Sequence, residues 1–112
     1  MITNVLQNNK TLYIYDEDDQ ISAKIMLHEN DFLGAGTDFF VLKKTYTMLT
    51  EDNQVYEMYD KFGKTLGSIL YDKAIVFKSV VGTNINFQRA NKMESYDKFG
   101  TLKSVKYFSH LE

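Results

Sequence analysis

Apolar and polar residues alternate along most of this chain with a period of two, the pattern of half-buried β-strands. Thr11 to Tyr15 is a β-branched and aromatic run that ends in Asp16-Glu17-Asp18-Asp19, a solvated turn. Ile21 to Leu27 follows, with Ile21, Ala23 and Ile25 expected on one face; its composition would also tolerate a helical turn. Residues 28–38 contain Asn30-Asp31 and Gly34-Ala35-Gly36-Thr37, turn chemistry that predicts a loop. Phe39 to Thr50 is the longest strand-like run, and Glu51-Asp52-Asn53-Gln54 predicts a hairpin turn into Val55 to Tyr59. Thr65 to Tyr71 and Ala74 to Val81 are joined by Asp72-Lys73, and Ile75, Phe77, Ser79 and Val81 are expected to share a face. Gly82-Thr83-Asn84 turns into Ile85 to Gln88, Ala90 to Glu94 fits a strand or a short helix, and Leu102 to Phe108 closes the set.

Links this short force neighbouring strands to run antiparallel, because a parallel pair needs a crossover of a dozen or more residues. The expected fold is all-β: a single domain over residues 1–112, an antiparallel up-and-down meander of about eight to ten strands. A meander of that length must curl to hide its edges. A small closed or nearly closed barrel is the first expectation, and a two-sheet sandwich the second.

One pentapeptide occurs twice, Tyr59-Asp60-Lys61-Phe62-Gly63 and Tyr96-Asp97-Lys98-Phe99-Gly100. With Lys64 skipped, Thr65, Leu66, Ser68 and Tyr71 match Thr101, Leu102, Ser104 and Tyr107. Physically this is a repeated hairpin: the Asp carboxylate accepts hydrogen bonds from backbone N–H groups of the turn, and Gly supplies a positive φ. Tyr15-Asp16 marks a third, degenerate copy without the glycine. The second copy, read as Tyr-Asp-x-x-Gly-x-Leu-x-x-Val, resembles the YD-repeat hairpins of large bacterial β-shell proteins. Each copy spans about a tenth of the chain. It is also similar to hairpins in small bacterial relatives of tubby-like barrels, whose central helix has no candidate here. Both resemblances imply hairpins, not chemistry.

Composition narrows the function classes. Apolar residues make up 44% of the chain and aromatic ones 14%, enough for a packed core. Cysteine is absent, which removes disulfides, thiolate metal sites and a cysteine nucleophile. No signal-peptide pattern opens the chain and no apolar run reaches membrane-spanning length, so a cytoplasmic location is expected. One arginine against twelve lysines, with no proline or tryptophan, suggests the AT-rich coding of a low-GC bacterium or one of its phages or mobile elements. Residues 1–60 carry eleven acidic and four basic side chains (−7), and residues 61–112 carry nine basic and four acidic (+5). Such halves either neutralise each other within one fold or present opposite faces to partners.

Candidate chemistry is thin. His28, beside Glu29 and Asp31, has no second histidine at metal-ligand spacing, and His110 is third from the C-terminus. Asp16 to Asp19 invite a calcium reading, but the EF-hand positions that need glycine and glutamate hold Ile21 and Leu27. Gly34-Ala35-Gly36 has Phe39 where a dinucleotide fingerprint needs its third glycine. No cofactor, metal or catalytic residue is therefore assigned.

The basic half interleaves Arg89, Lys92, Lys98, Lys103 and Lys106 with Phe87, Tyr96, Phe99, Tyr107 and Phe108. That suits single-stranded nucleic acid, although strict alternation separates Lys103 from Lys106. Interface candidates are Tyr59, Tyr96, Arg89, Lys103, Lys106 and Tyr107. The expected function is non-enzymatic binding of a protein partner, as an accessory or inhibitory factor. A small-ligand β-barrel and single-stranded nucleic-acid binding are the alternatives.

Overall fold

The computed structural model describes residues 1–27, 30–47, 52–70 and 75–107 of the chain. These form eleven strands and, among the described residues, no helix. The strands are β1 (Ile2–Asn8), β2 (Thr11–Asp16), β3 (Ile21–Met26), β4 (Asn30–Ala35), β5 (Phe39–Thr47), β6 (Asp52–Asp60), β7 (Thr65–Leu70), β8 (Ile75–Val81), β9 (Asn84–Arg89), β10 (Lys92–Tyr96) and β11 (Leu102–Tyr107). They make three antiparallel sheets in chain order, β1-β2-β3, β4-β5-β6-β7 and β8-β9-β10-β11. The all-β meander is as expected. The closed barrel is not: each sheet keeps two open edges, and the chain stacks its sheets like a sandwich.

Phe39-Phe40-Val41-Leu42 explains the stacking. All four are 0–1% exposed, so β5 is buried on both faces. Such a strand reads as a continuous apolar run rather than an alternating one. Phe39 and Val41 join Tyr56, Met58, Ile85 and Phe87 in a core between the second and third sheets. Phe40 and Leu42 join Ile2, Leu12, Ile14 and Ala23 in a core between the first and second. The result is three layers.

Three hairpins repeat in detail. Asp16, Asp60 and Asp97 each accept two backbone N–H bonds on Oδ1, from Asp18 and Gln20, Phe62 and Lys64, and Phe99 and Thr101, at 2.9–3.1 Å. The backbone closes each turn identically, with Asp19, Gly63 and Gly100 donating to the Asp carbonyl at 3.0 Å. Gly63 and Gly100 have φ +84°, and Asp19, at φ 59°, fills the glycine position of the first turn. The degenerate copy at Tyr15-Asp16 is thus a full geometric member.

A β-bulge follows every one of these turns. Tyr15 pairs with Ile21 and Ile14 with Ala23, which leaves Ser22 as the extra residue. Leu66 and Lys103 take that place in the other two hairpins. The structural repeat is therefore gapless from the aspartate, with Lys64 matching Thr101, and the skip suggested by sequence similarity is not present. A bulge reverses strand facing. Ile21 consequently sits on the opposite face from Ala23 and Ile25 and is 52% exposed. A bulge at Lys78 likewise places Val80 with Ile75 and Phe77, while Ser79 and Val81 face away.

Three expectations on element bounds change. β1 lies where no strand was expected, β4 occupies most of the supposed loop 28–38, and Asp52, Asn53 and Gln54 belong to β6 rather than to a turn. Ala90 to Glu94 resolves as a two-residue turn into strand β10. The positions His28, Asp72-Lys73, Phe108 and His110 fall outside the described residues.

Candidate interaction surface

Each sheet touches the previous one through its Asp-x-x-Gly turn. The turn 60–63 lies on β3: Ser22 Oγ donates to the Lys61 carbonyl at 2.6 Å, and a Cβ on Gly63 would sit 3.0 Å from Ile25 Cδ1. The turn 97–100 lies on β7: a Cβ on Gly67 would fall 2.5 Å from the carbonyl carbon of Phe99 and 2.8 Å from its Cα. Small residues stand beneath the turns for this reason, Ala23 in β3 and Gly67 in β7. Ser104 holds the equivalent place in β11.

The side chains facing the previous sheet repeat as well. Glu57-Met58-Tyr59 and Glu94-Ser95-Tyr96 precede the two Asp-Lys-Phe-Gly turns. Tyr59 stacks on Phe40 at 5.3 Å between ring centroids, and its hydroxyl donates to Glu57 at 3.2 Å; Lys44 pairs with that carboxylate at 3.4 Å. Tyr96 meets Phe87 edge-on at 5.6 Å and donates to Glu94 at 3.3 Å. Arg89 and Lys92 flank the nearly buried Glu94 at 3.3 and 3.7 Å. Burial first, and then the adjacent Glu94 carboxylate, push the Tyr96 hydroxyl above its ordinary pKa, against a smaller pull from Arg89. Of the interface candidates, Tyr59 and Tyr96 therefore pack against the cores between sheets, and Arg89 is held within the third sheet by Glu94.

In the first sheet the equivalent pair is Tyr13 and Tyr15, and among the described residues no sheet packs on that face. Registers place Asn4, Tyr15 and Ile21 in one row of its outward face, Leu6, Tyr13 and Lys24 in the next, and Asn8, Thr11 and Met26 in the third. Leu6, Ile21 and Met26 are each about half exposed, at 50–54%. Lys24 Nζ sits 5.7 Å from the Tyr13 ring centroid, a cation–π contact. Contiguous apolar surface rimmed by polar groups marks interaction sites. Sequence reasoning missed this face because Tyr13 and Tyr15 read as ordinary strand residues. Beside it the turn 16–19 exposes Glu17, Asp18 and Asp19. Glu17 accepts a hydrogen bond from the N-terminal ammonium group, the main cause holding its carboxyl below its ordinary pKa. Asp16 Oδ1 is occupied by the turn's own amides, and among the described residues no cluster of three or more His, Asp or Glu is placed to hold a metal.

At the far end of the stack β11 carries the remaining candidates. Lys103, Ser104, Lys106 and Tyr107 are exposed, with Tyr107 at 62%. The bulge at Lys103 alters the expected alternation: Lys106 faces outward with Ser104, Ser95 and Met93, and Leu102 lies on the inner side with Tyr96. Lys103 occupies the bulge position where Ser22 and Leu66 reach toward the following sheet. Lysines on an edge strand also discourage uncontrolled strand pairing. The outward face of the third sheet mixes polar and apolar side chains: Asn86 is bonded to Ser79 at 3.1 Å and to Ser95 at 2.6 Å, and Val76 and Val81 stand exposed beside them.

A depression of about 460 Å³ is lined by Val55, Glu57, Thr65, Leu66, Ser68 and Leu70 on the second sheet and opens to solvent. No helix among the described residues is long and apolar enough to cross a membrane. No protein-family model and no curated protein sequence matches the chain.

Proposed function

We propose that this protein is a non-enzymatic protein-binding module whose principal binding surface is the outward face of the first sheet. The observation that supports this is the set of exposed Leu6, Ile21 and Met26 around half-buried Tyr13 and Tyr15, on the face that in both other sheets is covered by the preceding layer. Tyrosines flanked by aliphatic side chains are what protein interfaces enrich. Its sequence composition supports an origin in a low-GC bacterium or that bacterium's phage or mobile element, where it would serve as a cytoplasmic accessory or inhibitory factor. Affinity recovery from such a cell extract, with native mass analysis, tests the reading. A partner at fixed ratio, lost in the Leu6→Asp/Met26→Asp variant and kept in Phe62→Asp, is the expected result. Recovery unaffected by the face variant would refute it.

A second reading rests on β11, where Lys103, Lys106 and Tyr107 are exposed together. That strand suits a single-stranded nucleic acid, with stacking on Tyr107 and phosphate attraction. Oligonucleotide affinity that falls steeply with salt and is lost in Lys103→Ala/Lys106→Ala is its test.

A further inference from the structure

We infer that one partner of this surface is a second copy of the same chain, added head to tail: the turn 16–19 of one copy seats on β11 of the next. The inference rests on the protein-binding reading of the first sheet and names its occupant.

Within one chain the rule is already applied twice. Each Asp-x-x-Gly turn lies on the last strand of the preceding sheet, 60–63 on β3 and 97–100 on β7. Among the described residues one such turn and one such last strand have no partner sheet, the turn 16–19 and β11, and they stand at opposite ends of the described stack. The receiving strand is prepared in the same way as the others. Ser104, small like Ala23 and Gly67, lies where the turn backbone comes closest, and it faces away from the core.

Charge then selects the pair. In the internal contact, the side chain at the bulge of β3, Ser22, donates to the backbone carbonyl of the residue just after the turn aspartate, Lys61, which brings the two positions together. Transferred to the ends, the bulge residue is Lys103 and the residue after the aspartate is Glu17, whose exposed carboxylate also holds the N-terminal ammonium group. Lys106 lies two residues beyond Ser104, and Asp18 and Asp19 complete the acidic turn; all five of these charged groups are exposed. Opposite charges at the two ends of one chain favour heterologous contact between copies and disfavour head-to-head contact. The outer face of the third sheet can be covered without stranding Ser79, Asn86 and Ser95, which already bond one another, and exposed Val76 and Val81 give it some apolar contact. It supplies less apolar contact than the internal interfaces, so the association is reversible and salt-sensitive. A heterologous contact of this kind propagates into open chains or closes into a ring.

Sedimentation of the full chain tests this at concentrations up to about 1 mM, within reach of a small transient interface. The weight-average mass of the wild type is expected to rise above 13.0 kDa with concentration and to return to it as salt increases. Two charge-reversed proteins decide the geometry, Glu17→Lys/Asp18→Lys and Lys103→Glu/Lys106→Glu. Each alone brings like charges together and is expected to associate at least about tenfold more weakly, whereas their equimolar mixture restores association to within about threefold of wild type. All four positions are exposed, and far-ultraviolet circular dichroism confirms that the variants fold. Association untouched by either variant, or no rescue on mixing, would overturn the head-to-tail arrangement. A wild type that stays monomeric would overturn it too. If that monomer still captures another protein through the Leu6 and Met26 face, the binding reading survives; if it captures nothing, both fail.

Discussion

Gly67→Ala isolates the contact that holds the layers in order. Gly67 lies inside β7 with no positive φ, so backbone preference alone says that alanine should stabilise the strand, by roughly 0.5–1 kcal/mol. The turn above it reverses the sign. The new methyl would stand 2.5 Å from the Phe99 carbonyl carbon and 2.8 Å from its Cα, with the Phe99 oxygen closer still. Carbon atoms rest at about 3.5–4.0 Å, so the turn 97–100 must rise by roughly 1 Å. These neighbours are backbone and cannot rotate aside. Overpacking of this sort costs about 1–3 kcal/mol, and after the propensity gain the net loss is about 1–2 kcal/mol. For a domain of this size that lowers Tm by about 5–10 °C. Urea and thermal unfolding measure it, with an unchanged m-value showing that the unfolded state is not altered. Gly82→Ala is the control: nothing lies within 4 Å of the added methyl, and only the positive φ of +60° opposes it. A Gly67→Ala protein as stable as the wild type, or more stable, would mean that the turn does not lie on β7.

Other perturbations separate local turn chemistry from packing. Asp19→Gly and Ala90→Gly relieve φ values of 59° and 52° and should each raise stability by about 1 kcal/mol, read as a shift in urea midpoint. Asp60→Ala and Asp97→Ala each remove an acceptor of two backbone amides, and each should cost about 1–2 kcal/mol in the same assay. Tyr96 supplies a pH dependence. Its folded pKa is raised, so above its unfolded value near 10 the unfolded chain releases the proton more readily. Stability should fall as pH rises from about 10 through the folded pKa, and Tyr96→Phe should flatten that slope.

Much of the fold was legible because local signals and packing agree. Phe39 to Thr50 was readable as a strand, though its burial on both faces was not, and the duplicated Tyr-Asp-Lys-Phe-Gly announces hairpins that form as such. Tyr15-Asp16 was readable as a third copy, since Asp tolerates the positive φ that the turn requires. Face assignment was not readable. Ser22, Leu66 and Lys103 are bulged, and one inserted residue reverses every side chain beyond it, which is why Ile21 and Val80 lie opposite to strict alternation. β1 and β4 were missed for a different reason. Asn-rich Ile2–Asn8 and the glycine-containing Asn30–Ala35 have weak strand preference, and their neighbours β2 and β5 supply the pairing.

The candidate surface was legible only in part. Lys103, Lys106 and Tyr107 do stand exposed on one strand, whereas Tyr59 and Tyr96 are claimed by Glu57 and Glu94. The glutamate two residues before each repeated tyrosine was a signal present in the sequence, and it marks the face that meets the preceding layer. Where the same position holds Tyr13, that face is left outward.

The most direct test of the account is a concentration series of amide chemical shifts on the wild-type protein at low salt. Joint movement of residues 13–24 and 102–107, with the second-sheet core unmoved and the effect suppressed by salt, is the expected result. Shifts confined to other regions, or none up to about 1 mM while the other binding tests also fail, would contradict the claim that the two ends of this stack are its working surfaces.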